Sequence, residues 1–184
     1  MANGSPLWTR NDLAIMPEDG NRYEVLDGEL FVTPGPAPHH QGIAFELAKV
    51  LDAYCRANRI GAIAIPGSVV FGDNELIPDV LVIPGIARLH GEHWEDLPSP
   101  ILVVEVLSST RHASQDRDLS VKRGAYLRIG IGTYWVVDPH RRCVHVWTQE
   151  SPHEQIVTDT LRWRPKLDCA PLELSVADLI GPKD

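Results

Sequence analysis

Cysteine is scarce in this chain: three residues, Cys55, Cys143 and Cys169, far apart and odd in number. That excludes a disulfide framework or a zinc knuckle and fits a reducing compartment, with the thiols expected as core or surface residues. No stretch approaches the ~20 uninterrupted apolar residues of a membrane span, and the opening Met1-Ala2-Asn3-Gly4-Ser5-Pro6 lacks the basic head and apolar body of a secretion signal. A cytoplasmic location without a membrane partner is the expectation. Positive charge is also short, because 17 basic residues against 25 acidic ones leave −8. No global basic field therefore points to nucleic acid, and a nucleic-acid site would need local basic spots such as Arg141-Arg142 and Arg162 to Lys166, or a metal bridging to phosphate. Repeats, linkers and low-complexity segments are absent, so the 184 residues read as one domain.

What the chain does have is two carboxylates in unusual company. Asp79 lies in Ile77-Pro78-Asp79-Val80-Leu81-Val82-Ile83 and Glu105 in Ile101-Leu102-Val103-Val104-Glu105-Val106-Leu107. Both runs read as buried strands. An ionised carboxylate there costs several kcal/mol unless a metal, a cation or hydrogen bonds compensate. Taken singly, each is explained by a loop cap or an arginine partner; two on neighbouring strands make a cation site.

The remaining pattern predicts a mixed sheet with helices packed on it. Thr9 is placed to cap a short helix over Arg10 to Ile15. Arg22 to Val32 reads as a hairpin turning at Asp27-Gly28, where glycine accepts a positive φ. After the Pro34-Gly35-Pro36-Ala37-Pro38 breaker, Ile43, Leu47, Val50, Leu51 and Tyr54 form one stripe of an amphipathic helix from His40 to about Asn58. Strands are expected at Ala62 to Ile65 and Ser68 to Phe71. A polar loop of about 15 to 20 residues then joins the two acidic strands. It carries His90 and His93 with Glu92 and Glu95, a zinc alternative lacking a second ligand pair at a known spacing. A second helix follows from Asp116 to about Ile129, stopped by Gly130. A hairpin of Thr133 to Pro139 and Cys143 to Trp147 comes next, then a short strand pair at Gln155 to Val157 and Thr160 to Trp163. A last helix over Ser175 to Ile180 is capped by Ser175.

Asp118 and Lys122 stand at i and i+4 of the second helix and share a face. Their plain reading is a solvated ion pair. If the helix packs back on the strand it follows, Lys122 instead reaches the end of the Glu105 strand. Two carboxylates and a lysine beside Mg²⁺ (or Mn²⁺) form a set able to hydrolyse a phosphodiester, the metal acidifying a water and neutralising phosphate charge. Two neighbouring carboxylates favour a charged lysine, which suits charge stabilisation better than free-amine base chemistry.

The blocks Tyr23-Glu24-Val25-Leu26-Asp27-Gly28-Glu29-Leu30, His40-Gln41, Pro78-Asp79-Val80, Val103 to Ser108, Asp118-Leu119 to Lys122-Arg123 with Tyr126, and Gly130-Ile131 with Tyr134 to Pro139 resemble, in order and over roughly Tyr23 to Trp147, the Uma-two family of predicted restriction endonucleases. That family is assigned to the PD-(D/E)xK nuclease superfamily. The resemblance implies an α/β, restriction-endonuclease-like fold, a mixed central sheet flanked by helices with acidic residues at its catalytic edge. It implies Asp79 as the superfamily aspartate and Glu105 as its acidic partner. Leu107 stands where the usual lysine would, and Lys122 on the following helix takes that role. Glu24 and His40 match further positions near the site, Glu24 as an added carboxylate for the metal or its water, or else an exposed strand charge. Two departures are Ser108-Ser109-Thr110 in place of a Ser-Pro-Ser run, and a longer segment from there to Asp118.

The expected function is thus a metal-dependent endonuclease acting on DNA. The alternatives are a catalytically silent DNA-binding or regulatory protein on the same fold, and a hydrolase of another phosphate ester. Tyr134, Trp135 and Trp147 serve either the core or a homodimer interface.

Overall fold

Short apolar runs bounded by turn-forming residues fold as strands, and those of the central sheet are buried on both faces. The structure, a computed structural model, describes residues 7–85, 93–108, 117–151 and 153–182. It opens with a 3₁₀ helix over Arg10–Ile15, rather than an α-helix, in which Asp12 Oδ2 accepts from both the N–H and the hydroxyl of Thr9 at 2.7 and 2.8 Å. Strands β1 (Asn21–Leu26) and β2 (Glu29–Pro34) form the expected hairpin, with positive φ at Asp27 and Gly28. Helix α1 runs over Pro38–Ala57, two residues earlier than predicted, because proline is tolerated in the first turn, where its missing N–H has no helical partner.

Strands β3 (Ala62–Ile65), β4 (Val69–Phe71), β5 (Asn74–Leu76), β6 (Val80–Pro84) and β7 (Leu102–Val106) follow. The Ile77 to Ile83 run is extended only from Val80, since Pro78 cannot donate to a ladder. Beyond β7 the chain makes a π-helical turn, Arg117–Lys122, that passes directly into α2 (Arg123–Arg128). This corrects the single α-helix expected from Asp116. Strands β8 (Thr133–Asp138), β9 (Cys143–Thr148), β10 (Gln155–Val157), β11 (Thr160–Trp163) and β12 (Leu172–Ser175) precede α3 (Val176–Ile180). The Ser175 hydroxyl caps α3 by accepting from the Asp178 N–H.

The central sheet has the order β10-β9-β8-β7-β6-β3, antiparallel except for the parallel β7–β8 pair that α2 connects. The expected mixed sheet is therefore present. Two further sheets, β2-β1-β5-β4 and β11-β12, were not anticipated as separate units. β10 pairs with β9 and β11 with β12, so the strand pair predicted at Gln155 to Trp163 does not form.

Both faces of the central sheet are covered, and strand parity sorts them. Val80, Val82, Leu102, Val104, Val106, Trp135, Val137, Val144 and Val146 pack under α1 with β11, β12 and α3. Leu81, Ile83, Val103, Tyr134, Val136 and Trp147 face α2 and the four-stranded sheet. Tyr134, Trp135 and Trp147 are fully buried in this core, which decides between their two predicted uses. No helix among the described residues is long and apolar enough to cross a membrane.

Candidate active site

Register brings the two acidic strands together. β6 and β7 pair antiparallel through Val80↔Val104, so one further step places Asp79 opposite Glu105 at the sheet edge. The Asp79 N–H donates to the Val104 carbonyl at 3.1 Å, and the Val106 N–H donates to Asp79 Oδ2 at 2.8 Å. The carboxylate is thus fastened to the strand that carries Glu105.

β1 lies over this edge. Arg22, Glu24 and Leu26 share one face of it by the two-residue period of a strand: Leu26 enters the apolar core, while Arg22 and Glu24 reach the carboxylates. Arg22 Nη1 donates to Asp79 Oδ1 at 3.1 Å and to the Ile77 carbonyl at 2.9 Å. Glu24 Oε1 accepts from the Ile77 N–H at 2.7 Å. Both backbone polar groups of Ile77 are therefore held, which fixes the approach to Asp79. From the first turn of α1, His40 Nε2 comes within 2.9 Å of Asp79 Oδ1.

Lys122 closes the cluster. Its ammonium stands 2.8 Å from Glu24 Oε1 and 2.8 Å from Glu105 Oε1, and the Tyr126 hydroxyl is 3.4 Å from the same Glu105 oxygen. Glu24, Glu105 and Lys122 are each at most 2% exposed. Burial on its own raises the Asp79 pKa, but hydrogen bonding and charge from His40, the Arg22 guanidinium and the Val106 amide outweigh it and hold the carboxyl below its ordinary range. For Arg22 burial lowers the pKa, and the opposing fields of Asp79, Glu105 and Glu24 raise it further.

Each predicted residue can now be placed. Asp79, Glu105, Lys122, Glu24 and His40 converge, and the exposed-charge reading of Glu24 is excluded. Leu107, at the usual lysine position, is buried in apolar core, and its N–H donates to the Val137 carbonyl at 2.8 Å. The Asp118 side chain, His90 and Glu92 lie outside the described residues. The backbone at Asp118 is π-helical, so the α-helical i,i+4 geometry assumed for Asp118 and Lys122 does not apply there. Glu95 pairs with Arg10 at 3.0 Å.

The sequence of residues 10–177 matches the family model Uma2, described as "Putative restriction endonuclease". The chain belongs to the Uma2 family. Among solved structures, it is similar to a "putative nuclease belonging to DUF820" from Anabaena variabilis, with a TM-score of 0.70, 22% identity, and coverage of 94% of this chain and 97% of that one. That likeness shows a shared fold. None of the curated proteins matches the chain.

Two members of the cluster in this Uma2 chain were missed as site residues. Arg22 was visible only as the residue two before Glu24, hence on the same strand face. Tyr126 enters the sequence reading as part of a family block, though it stands four after Lys122. The signal in both cases is spacing from a site residue rather than residue type.

Proposed function

We propose that this chain is a divalent-metal-dependent endonuclease hydrolysing DNA phosphodiester bonds, a single nuclease domain with Asp79, Glu105 and Lys122 as its catalytic residues. The observation that supports this most is the buried ion cluster at the sheet edge, in which Lys122 bridges Glu24 and Glu105 while Asp79 stands on the adjacent strand. The family description and the shared fold agree with it.

The donor set suits Mg²⁺ (or Mn²⁺), because the carboxylates of Glu24, Asp79 and Glu105 offer only oxygen atoms. Asp79 and Glu105 would hold it, with Glu24 adding a carboxylate to the ion or to its water. When bound, the ion supplies an acidified water and positive charge beside the phosphate. The chain's own groups do the rest. Lys122, pinned between two carboxylates, sets a positive charge where the phosphorane develops its own negative charge and orients the attacking water. Tyr126 positions Glu105. Arg22, which holds Asp79 through Nη1 alone, exchanges that oxygen for a phosphate oxygen as DNA arrives. Cutting both strands calls for a second copy of the chain.

The test is nicking of supercoiled plasmid in Mg²⁺, Mn²⁺ or EDTA by the native chain, Asp79→Asn and Glu105→Gln. These near-isosteric changes are preferred to alanine because they keep hydrogen-bonding groups beside Arg22 and Lys122. Metal-dependent nicking that drops at least about a hundredfold in both variants, as for loss of one transition-state charge partner, supports the assignment. Nicking undiminished in both overturns it. Folded protein that binds Mn²⁺ without nicking any DNA shifts the reading to another phosphate ester, and folded protein that binds no cation shifts it to the silent platform.

A further inference from the structure

One group of metal-capable side chains lies outside the catalytic cluster. Asp138 ends β8, Cys143 starts β9 and His145 follows it two residues later, all on the sheet face that also carries Glu105. The pairings Glu105↔Val136 and Val136↔His145 set His145 two strands from Glu105, roughly 10 Å at the usual strand spacing. Each of the three is 3% exposed, and one donor atom from each lies within 4.8 Å of the others. Among the described residues, this is the one group of three or more such donors gathered that closely.

We propose that Asp138, Cys143 and His145 form a zinc site, independent of the nuclease reading, that clips the β8–β9 hairpin. Three features of the geometry argue for it. First, Cys143 Sγ and His145 Nε2 are 3.6 Å apart, which matches the about 3.6 Å between sulfur and nitrogen on a tetrahedral zinc with ordinary bond lengths. Second, the ring is oriented for ligation: His145 Nδ1 lies 2.8 Å from Glu154 Oε1. A proton donated there leaves the Nε2 lone pair facing Cys143, the carboxylate–histidine pairing that supports metal-bound imidazoles. Third, Asp138 is held in place, since its Oδ1 accepts the Arg141 N–H at 2.8 Å while Oδ2 lies 4.0 Å from His145 Nε2. A small rotation of the carboxylate closes that gap to a coordination edge.

Sulfur, nitrogen and oxygen donors together select a borderline-soft ion over Mg²⁺. A thiolate, a carboxylate and a neutral imidazole also neutralise a divalent charge, so the buried complex carries no net charge. On binding, the Cys143 thiol gives its proton to solvent, and water completes the fourth position. The ion would tie the end of β8, the start of β9 and the segment leading into β10 at one point.

The experiment is metal analysis of the purified full chain after dialysis against EDTA and reloading with Zn²⁺, followed by Co²⁺ titration monitored by near-ultraviolet and visible absorption. One equivalent of zinc is expected, and Co²⁺ should give a thiolate-to-cobalt charge-transfer band. Cys143→Ser and Cys143→Ala should each abolish that band and weaken Zn²⁺ binding more than about a hundredfold, and Glu154→Gln should weaken it about tenfold, as for loss of an outer hydrogen bond. Cys55→Ser, Cys169→Ser and Asp79→Asn should leave the band intact. Circular dichroism of the metal-free chains identifies any variant that fails to fold, and Glu154→Gln tests the site without touching a ligand. Absence of a tightly bound zinc, or a band that survives both Cys143 changes, overturns the proposal.

Discussion

The two faces of the central sheet are built from the same strands yet hold different chemistry. Under α1 the sheet presents valines, Leu102 and Trp135 without a charged side chain among them. Across from it, the residues one step out of phase include Glu105, Asp138 and His145 among Leu81, Ile83, Val103 and Val136. The first face needs nothing beyond shape. On the second, every polar side chain needs a partner, and Lys122, Arg22, the Arg141 N–H and Glu154 supply them. A sheet covered on both sides can thus give one face to stability and the other to chemistry, provided the charges compensate one another locally.

The sharpest way to break the contrast is to remove one partner from the charged face. Lys122→Met should leave Glu24 and Glu105 buried without their shared cation and cost about 3–5 kcal/mol in urea unfolding. Adding Glu24→Gln and Glu105→Gln should recover much of that stability while cleavage stays lost. A triple variant no more stable than the single one would show that Lys122 acts through packing. On the apolar face, Leu102→Ala should cost about 2–5 kcal/mol through its cavity, with the cleavage rate per folded molecule unchanged. A lower rate would mean that the faces are coupled.

Titration separates the faces by the sign of their pH dependence. The Asp79 carboxyl is lowered from an ordinary 3.8, against the effect of burial, by His40, Arg22 and Val106. Its contribution is complete above that value and is lost as pH falls through the lower folded value. The stability difference between the native chain and Asp79→Asn, measured in EDTA, should therefore shrink only below about pH 4. On the α1 side, burial and then the Cys169 hydrogen bond push Tyr54 up from 10.0 to about 12. That group's contribution is complete below pH 10.0 and is lost as pH rises toward 12. Tyr54→Phe should flatten the alkaline limb and leave the acid limb alone. The smallest effect is expected at the exposed start of α3, where Ser175→Ala removes the cap at a cost of about 0.5–2 kcal/mol.

Much of this was legible beforehand. Asp79 and Glu105 were conspicuous because a carboxylate in an apolar run must be compensated, and the stripe on α1, the Asp27-Gly28 hairpin and the Ser175 cap follow from periods and turn chemistry that act within a few residues. The partner of Asp79 was harder to find. Arg22 lies 57 residues away and meets it only because a second sheet folds over the first. Lys122 reaches Glu105 through the way its helix packs back on β7, and the π-helical turn that contains it has no local signal of its own. Cys143 and His145 carry no spacing signal that joins them to Asp138, since only the hairpin register aligns the three.

The sequence by itself determined the buried apolar positions and the two carboxylates set among them, Asp79 and Glu105, because hydrophobic period and residue type are local properties of the chain. Tertiary structure decided which charges neutralise one another and which donors share a space, because those distances are set by sheet order, register and the crossing of β1 over the edge of β6 and β7.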